Sequence, residues 1–552
     1  MTAGKQSFIK GAAILGLAAF FTKLLGAVYR IPYQNITGNE GMFVYQQVYP
    51  LYSTLLILAT AGFPIAISKL VSERLAQGDT VGAKRIFRVT ATLLSVTGCL
   101  FFLLLFLTAP IIATWMGSRE MLTLPIRAVS FALLVVPLMS VIRGYFQGHQ
   151  NMTPTASSQV AEQSVRVATI LLLAWWLTST GAGVVYAGAG AVFGAFTGAV
   201  AGLVVLLFYW GRNRRIEKQL AAEKPVAAPP KEAESPWSIF KSLMVLSIPI
   251  SVGALVLPLL SLVDSFTVAN LLEQAGFTTA EAIDGKGVYD RGQPLIQFAS
   301  FFATALSLSI VPAVAEALIR GDERKVRDRS TLAMRLTLLM GLPAAVGLAV
   351  VAGPTNVMLY KDDAGTAALV ILAFTALFST LGMTSSGILQ GVGQVRLPAR
   401  NLLIGVGVKL GLNLLLIPLW DIRGAAIATV TGYAVAATLN LIALRGRLGQ
   451  VFYLRRTGLA IFVATTLMVI ATVGTMKGIT VLTVGWESTR LAMTAVSLSG
   501  VAAGALVYGA AVLMLGAMER QELERIPKIG PKLVGLLDQY GWNRKGRSRN
   551  AG

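Results

Sequence analysis

Apolar residues come in runs of about 20, one after another from residue 8 to residue 518, with short polar breaks between them. A helix of that length rises about 30 Å, the thickness of a bilayer's hydrocarbon core. Helices and closed barrels are the structures that satisfy every backbone group in lipid, and these runs are twice the length of a barrel strand. The pattern therefore predicts an all-α polytopic membrane protein. About fourteen transmembrane helices are expected, near 8–31, 43–68, 86–113, 122–146, 155–177, 184–210, 240–269, 292–318, 331–352, 364–389, 398–419, 424–444, 457–476 and 490–517.

The longest polar break, 211–238, mixes Pro and Ala with charge and reads as a flexible cytoplasmic linker. It places a six-span N-lobe at 1–211, the linker at 212–237, a six-span C-lobe at 238–447, two more spans at 448–518, and a basic tail at 519–552. The two lobes share a repeat. Gly144-Tyr145-Phe146-Gln147-Gly148 and Gly387-Ile388-Leu389-Gln390-Gly391 lie 243 residues apart, and at the same offset Arg166 corresponds to Lys409. Pro154 and Pro398 open the helices that follow, one residue out of step, and Pro64 and Pro312 interrupt spans 2 and 8. Six spans per repeat is an even number, so the halves should be parallel and related by an axis along the membrane normal.

Charge then orients the chain. Only 13% of residues are charged, about half the share of a soluble protein, yet the net charge is +21. In a soluble chain such an excess would suggest nucleic acid; here the question is which side holds it. With the N-terminus inside, 35 of the 47 Lys and Arg fall in cytoplasmic segments, nine lie outside, and Lys23, Arg166 and Lys409 remain within spans. This is the positive-inside bias, and it places both termini in the cytoplasm. The tail, with Arg525-Ile526-Pro527-Lys528, reads as a basic segment for anionic headgroups, so membrane lipids are expected partners and nucleic acid is not. A single cysteine, Cys99, and a single histidine, His149, exclude a disulfide framework and a Cys- or His-rich metal centre. No Gly-x-x-x-x-Gly-Lys-[Ser/Thr] loop is present for ATP.

Ionisable groups inside spans are costly and should face a cavity or a partner. Lys23 and Arg30, seven apart, are expected on one face of span 1, and Arg291, after Asp290 at the entry to span 8, suits bidentate contact with phosphate oxygens. Glu162 and Arg166 have the i, i+4 spacing of an internal ion pair, with gating as the other reading. Lys409 has no acidic neighbour at helical spacing and needs a partner from another helix or an anionic ligand. Asp264, Asn413 and Thr429 offer oxygens suited to a hard monovalent cation such as sodium, or polar adhesion between helices.

Thr22-Lys23-Leu24-Leu25-Gly26, Arg30, Gly38-Asn39-Glu40-Gly41 and Val48-Tyr49-Pro50-Leu51-Tyr52 resemble the stage V sporulation protein B and polysaccharide-export group. That group sits with the MurJ lipid II flippases in the multidrug/oligosaccharidyl-lipid/polysaccharide superfamily. The resemblance implies a transporter rather than an enzyme, working as a monomer in the bacterial cytoplasmic membrane. Its substrate would be a lipid-linked oligosaccharide of the undecaprenyl pyrophosphate type, lipid II above all, moved by alternating access for peptidoglycan synthesis. Lys23, Arg30, Glu40 and Arg291 would contact that substrate, and the last two spans would form a groove for its lipid tail. Family sodium sites on spans 7, 11 and 12 resemble the Asp264, Asn413 and Thr429 grouping. The family's span-2 arginine is absent, the region reading Leu51-Tyr52-Ser53, and Ile417 stands where a second carboxylate is expected. A cation-coupled multidrug exporter is the alternative within the superfamily. It would need an acid-rich cavity, whereas Lys23, Arg30 and Arg166 face only Glu162 in the first half. A membrane-embedded glycosyltransferase is the alternative outside it, and Glu281, Asp284, Asp362 and Asp363 form no convincing acid-base pair in sequence.

Overall fold

The computed structural model describes residues 8–60, 62–222, 235–299, 310–311, 313–449 and 454–517. The centre of the expected linker, the middle of the expected eighth span and the basic tail lie outside these residues. All regular structure among the described residues is α-helical. Ten helices there are long and apolar enough to cross a membrane, one of them made of the consecutive helices Arg119–Ser130 and Ala132–Gly148, and two others are compound with non-helical backbone inside.

Both compound helices contain a break with a local cause. The first three helices, α1 (Phe8–Val28), α2 (Arg30–Thr60) and α3 (Phe63–Ala76), follow one another almost without a loop. Within α2, Gly38 adopts φ 72°, which only glycine takes without steric cost, and the helix turns there. The chain passes on through α4 (Thr80–Trp115), α5 (Arg119–Ser130), α6 (Ala132–Gly148), α7 (Thr153–Ser179), α8 (Val184–Ala222) and α9 (Pro236–Gln274). Two short helices follow, α10 (Thr279–Asp290) and α11 (Gly292–Ala299), then α12 (Glu323–Val350), α13 (Ala352–Tyr360) and α14 (Thr366–Gly391). The second compound helix, α15 (Arg396–Leu448), is broken at Trp420 and Asp421, which divides its 53 residues into two segments, each as long as a membrane span. The last two helices are α16 (Leu454–Leu482) and α17 (Thr489–Met514).

Many large apolar side chains face outward, where a soluble protein would present polar ones. On α4, Val96, Leu100, Leu103, Leu107 and Ile111 are exposed, while Thr90, Gly98, Ala109 and Ala113 are buried. Lipid tails are as apolar as leucine, so hydrophobicity does not drive helix against helix; small residues that let backbones approach do. Trp115, Trp175, Trp176, Trp237, Trp420 and Trp486 are also exposed, near helix ends or breaks where interfacial tryptophans sit. The protein is a multi-pass membrane protein.

The chain forms two compact units. One comprises Met1–Phe301, Ala364–Gly382 and Gln394–Asn440; the other Phe302–Asp363, Met383–Gly393 and Leu441–Gly552. In the first, a core runs from Tyr29 and Phe43 through Leu133 and Ile142 to Ala199 and Leu206. In the second, Leu339, Ile461, Ala464, Ala511 and Val512 pack together, and Thr355 and Ser497 share a hydroxyl hydrogen bond.

The 243-residue repeat is a repeat of contacts. A Cβ placed on Gly148 would sit 2.7 Å from Val71 and 3.0 Å from the carbonyl of Ser68. One placed on Gly391 would sit 3.0 Å from Val314 and 3.1 Å from the carbonyl of Val311, the residues at the same offset. Each Gly-x-x-Gln-Gly therefore seats its final glycine on the same turn of a neighbouring helix, within its own unit.

Candidate functional site

The first unit holds a chain of buried charged and aromatic groups. At one end α7 presents Glu162, whose carboxylate accepts from Arg143 Nη2 at 2.9 Å and from Arg166 Nη2 at 2.6 Å. Arg143 also donates from Nε to Ser158 Oγ at 2.9 Å. One carboxylate against two guanidiniums leaves a net positive charge, and Arg166 Nε has no hydrogen-bond partner. These side chains remain 13–14% exposed, more than the fully buried charges further along the chain.

A tyrosine column adjoins this cluster. Tyr45 and Tyr49 stack at 5.8 Å, Tyr29 and Tyr33 meet Tyr45 at 5.9 and 5.4 Å, and Tyr52 lies 6.5 Å from Tyr49. Spacings of three and four residues put Tyr45, Tyr49 and Tyr52 on one face of α2. Tyr52 and Tyr49 are within electrostatic reach of Arg166. The Arg30 guanidinium stands 5.7 Å from the Tyr49 ring centroid, inside cation–π range. Arg30 is buried, yet its Nε and Nη1, like the Tyr52 hydroxyl, find no hydrogen-bond partner. A buried donor left unmade costs about 1–3 kcal/mol, more for a charged group. Native structures tolerate few such groups, and a ligand that supplies acceptors removes the cost.

Past Arg30 the charges are paired. Lys286 and Asp290, four apart on α10, are buried and meet at 2.5 Å. Arg30 is within electrostatic reach of that aspartate. Arg291 is also buried, and its guanidinium donates to Asn39 Oδ1, from Nε at 2.8 Å. Asn39 accepts from Gln34 at 3.0 Å and donates to Asp284 at 2.8 Å. Its carbonyl lies so close to α10 that a Cβ on Gly287 would approach to 2.2 Å. Arg291 thus clamps the turn of α2 that follows Gly38.

At the far end, Asp264 on α9 meets Lys409 on α15. The ammonium is 2.7 Å from Asp264 Oδ2 and donates to the Leu260 carbonyl at 2.7 Å. The Tyr289 hydroxyl also donates to Oδ2, at 3.0 Å, and is 2.8 Å from Thr429 Oγ1. Asn413 Nδ2 donates to Asp264 Oδ1 at 3.2 Å and to Thr267 Oγ1 at 2.8 Å. All these side chains are buried. The three residues expected to hold sodium are therefore together, but an ammonium already sits on the carboxylate. A second cation about 4 Å from it would be repelled by about 4 kcal/mol at an effective dielectric near 20. As arranged, the residues do not fit a sodium ion, although Asn413 Oδ1 is buried without a partner.

Two expected residues stand apart. Lys23 and Glu40 are exposed, whereas Arg30 is buried. Helical hydrogen bonding continues past Tyr29, from its N–H to the Leu25 carbonyl and from the Tyr33 N–H to its own, so the two residues seven apart differ in burial and not in helix. Arg143, Lys286, Tyr289, Asn39 and the tyrosine column join the site without having been anticipated. The Lys286/Asp290 and Tyr45/Tyr49/Tyr52 spacings could have signalled two of these; Arg143 and Asn39 act across helices and leave no local pattern.

Comparison with known proteins places this geometry in a family. Residues 8–318 match the polysaccharide biosynthesis protein family model. The chain belongs to the polysaccharide biosynthesis protein family. Among its relatives it is 36% identical over 529 residues to the uncharacterized membrane protein YabM of Bacillus subtilis (strain 168), covering 96% of each chain. It is 30% identical to the lipid II flippase MurJ of that organism, over 95% of this chain and 98% of MurJ. Stage V sporulation protein B, also of that organism, is 30% identical over 96% of this chain and 99% of its own. Its fold resembles that of a lipid II flippase MurJ solved in an inward closed conformation, with a TM-score of 0.64 at 14% identity over 93% of this chain and all of that one. An inward-facing multidrug resistance MATE transporter of the MOP superfamily also matches at a TM-score of 0.64 and 14% identity, over 78% of this chain and 95% of that one. Both solved structures are of transporters, and at this identity the likeness is one of fold.

Proposed function

We propose that this protein flips a lipid-linked oligosaccharide precursor across the bacterial cytoplasmic membrane, with lipid II, the peptidoglycan precursor, as its substrate. The observation that carries the reading is Arg30, a buried guanidinium with two nitrogens unpartnered, standing against the tyrosine column. Arg166, which with Arg143 outnumbers Glu162 two to one, faces the same column from α7. Together they form a cationic, aromatic-lined surface suited to a sugar pyrophosphate: guanidiniums bind phosphate oxygens, and tyrosine rings pack on sugar faces. Arg166 supplies a second cation in a chain without the family's span-2 arginine. Arg291 acts on substrate indirectly, by holding the α2 turn through Asn39. Glu40 and Lys23, both exposed, serve at the entry to this surface or not at all in binding. The protein works as a monomer by alternating access, both termini in the cytoplasm.

A multidrug exporter would have to bind cationic compounds beside Arg30 and Arg166, against the sign of the site. The deciding experiment is complementation of cells depleted of their own lipid II flippase, scoring growth and outward exposure of lipid II. Rescue by the native protein, lost on Arg30→Ala at equal expression, is the expected result. Absence of rescue by a correctly inserted protein would remove lipid II as the substrate and leave another undecaprenyl-linked polysaccharide precursor.

A further inference from the structure

We infer that Lys409 is a tethered cation, occupying by covalent attachment the place beside Asp264 that an ion from solution would otherwise take, so that this protein needs no sodium. The argument rests on what surrounds the ammonium. Its oxygen partners are a carboxylate oxygen of Asp264 and the backbone carbonyl of Leu260, each at 2.7 Å. Asn413 Oδ1 is buried and unpartnered, and the hydroxyls of Thr267 and Thr429 complete the group. A carboxylate, a backbone carbonyl, an amide oxygen and hydroxyls are the donors of a hard-cation site. Here the positive charge comes from the chain itself.

The repeat explains how the residue reached this position. Lys409 stands at the register of Arg166, and each packs its stem against a glycine of the next helical segment. A Cβ on Gly198 would lie 2.9 Å from Arg166 Cβ, and one on Gly432 would lie 3.1 Å from Lys409 Cβ. In the first half the counter-charge, Glu162, is four residues earlier on the same helix. The corresponding position in the second half is Gly405, which carries no charge. Lys409 is therefore free to reach across to α9 and neutralise Asp264. Because the ammonium cannot dissociate from the chain, the charge of this group does not depend on the sodium concentration on either side of the membrane.

Thermal stability of the purified full-length protein, in sodium chloride or choline chloride at equal ionic strength, tests this without reference to any substrate. The native protein should melt at the same temperature in both salts and show no saturable binding of radioactive sodium. Lys409→Ala, which vacates the ammonium's place, should melt lower in choline and recover part of the loss in sodium. If that variant does not fold, the paired Lys409→Met and Lys409→Met/Asp264→Asn proteins give the same answer. Removing both charges should restore stability lost by removing one, in either salt. Saturable sodium binding by the native protein that Asp264→Asn abolishes would overturn the inference. So would a double variant no more stable than Lys409→Met alone.

Discussion

Arg166 and Lys409 occupy the same register of the internal repeat, 243 residues apart, and have been put to opposite uses. Arg166 is paired on its own helix, shares Glu162 with Arg143, and keeps its Nε unpartnered at the edge of the tyrosine column. Lys409 has been drawn into a closed network from another helix, with Asp264 answered by an ammonium, a phenol and an amide. The first arrangement has surplus charge and access; the second has neither. A repeated basic position in a membrane transporter therefore does not mean a repeated function. Where the counter-charge comes from decides whether the cation can meet a substrate.

The comparison is broken most severely at Lys409. Lys409→Met leaves Asp264 buried and uncompensated and should cost about 3–5 kcal/mol, read as a large fall in melting temperature of the purified protein. Beside the tyrosine column, Arg30→Ala should leave folding nearly intact while reducing lipid II exposure in the complementation assay by about 10–100-fold. That is the worth of one or two charge-assisted hydrogen bonds at about 1.5–3 kcal/mol. A result in which Arg30→Ala melts as low as Lys409→Met would mean that both are structural. The glycine seats sharpen the contrast between halves. Gly148→Ala, with the tighter contact to Val71, should cost about 1–3 kcal/mol in melting experiments, and Gly391→Ala less. Arg166→Met should cost only about 1 kcal/mol, since Arg143 still neutralises Glu162, yet it should lower transport more than stability.

The smallest effect lies outside the membrane. The Thr278 backbone and hydroxyl donate to Glu281, the capping box of α10, and hold its carboxyl below the usual carboxylate range. A lowered value means that the cap is complete at neutral pH and is lost as pH falls through that value. Hydrogen exchange in the first turn of α10 should therefore quicken in acid. Glu281→Gln should remove the pH dependence.

Much of the architecture was already determined by the amino-acid order. Run length fixes membrane crossing because the bilayer's thickness is constant, and a shared offset of 243 residues survives folding because equal helices repeat equal contacts. Local pairs such as Glu162 with Arg166 follow from helical geometry, which needs only the neighbouring turn. The tertiary structure alone decided the rest. It left Lys23 exposed while burying Arg30, seven residues on, and gave Arg143 to Glu162 from a different helix. It tied Arg291 to the turn at Asn39 and set Lys409 on Asp264 across 145 residues of sequence. Helix periodicity says which residues share a face of one helix. Which faces meet is set by packing among small residues, and in a low-dielectric interior that packing determines which buried charges are answered and which are left with unpartnered donors.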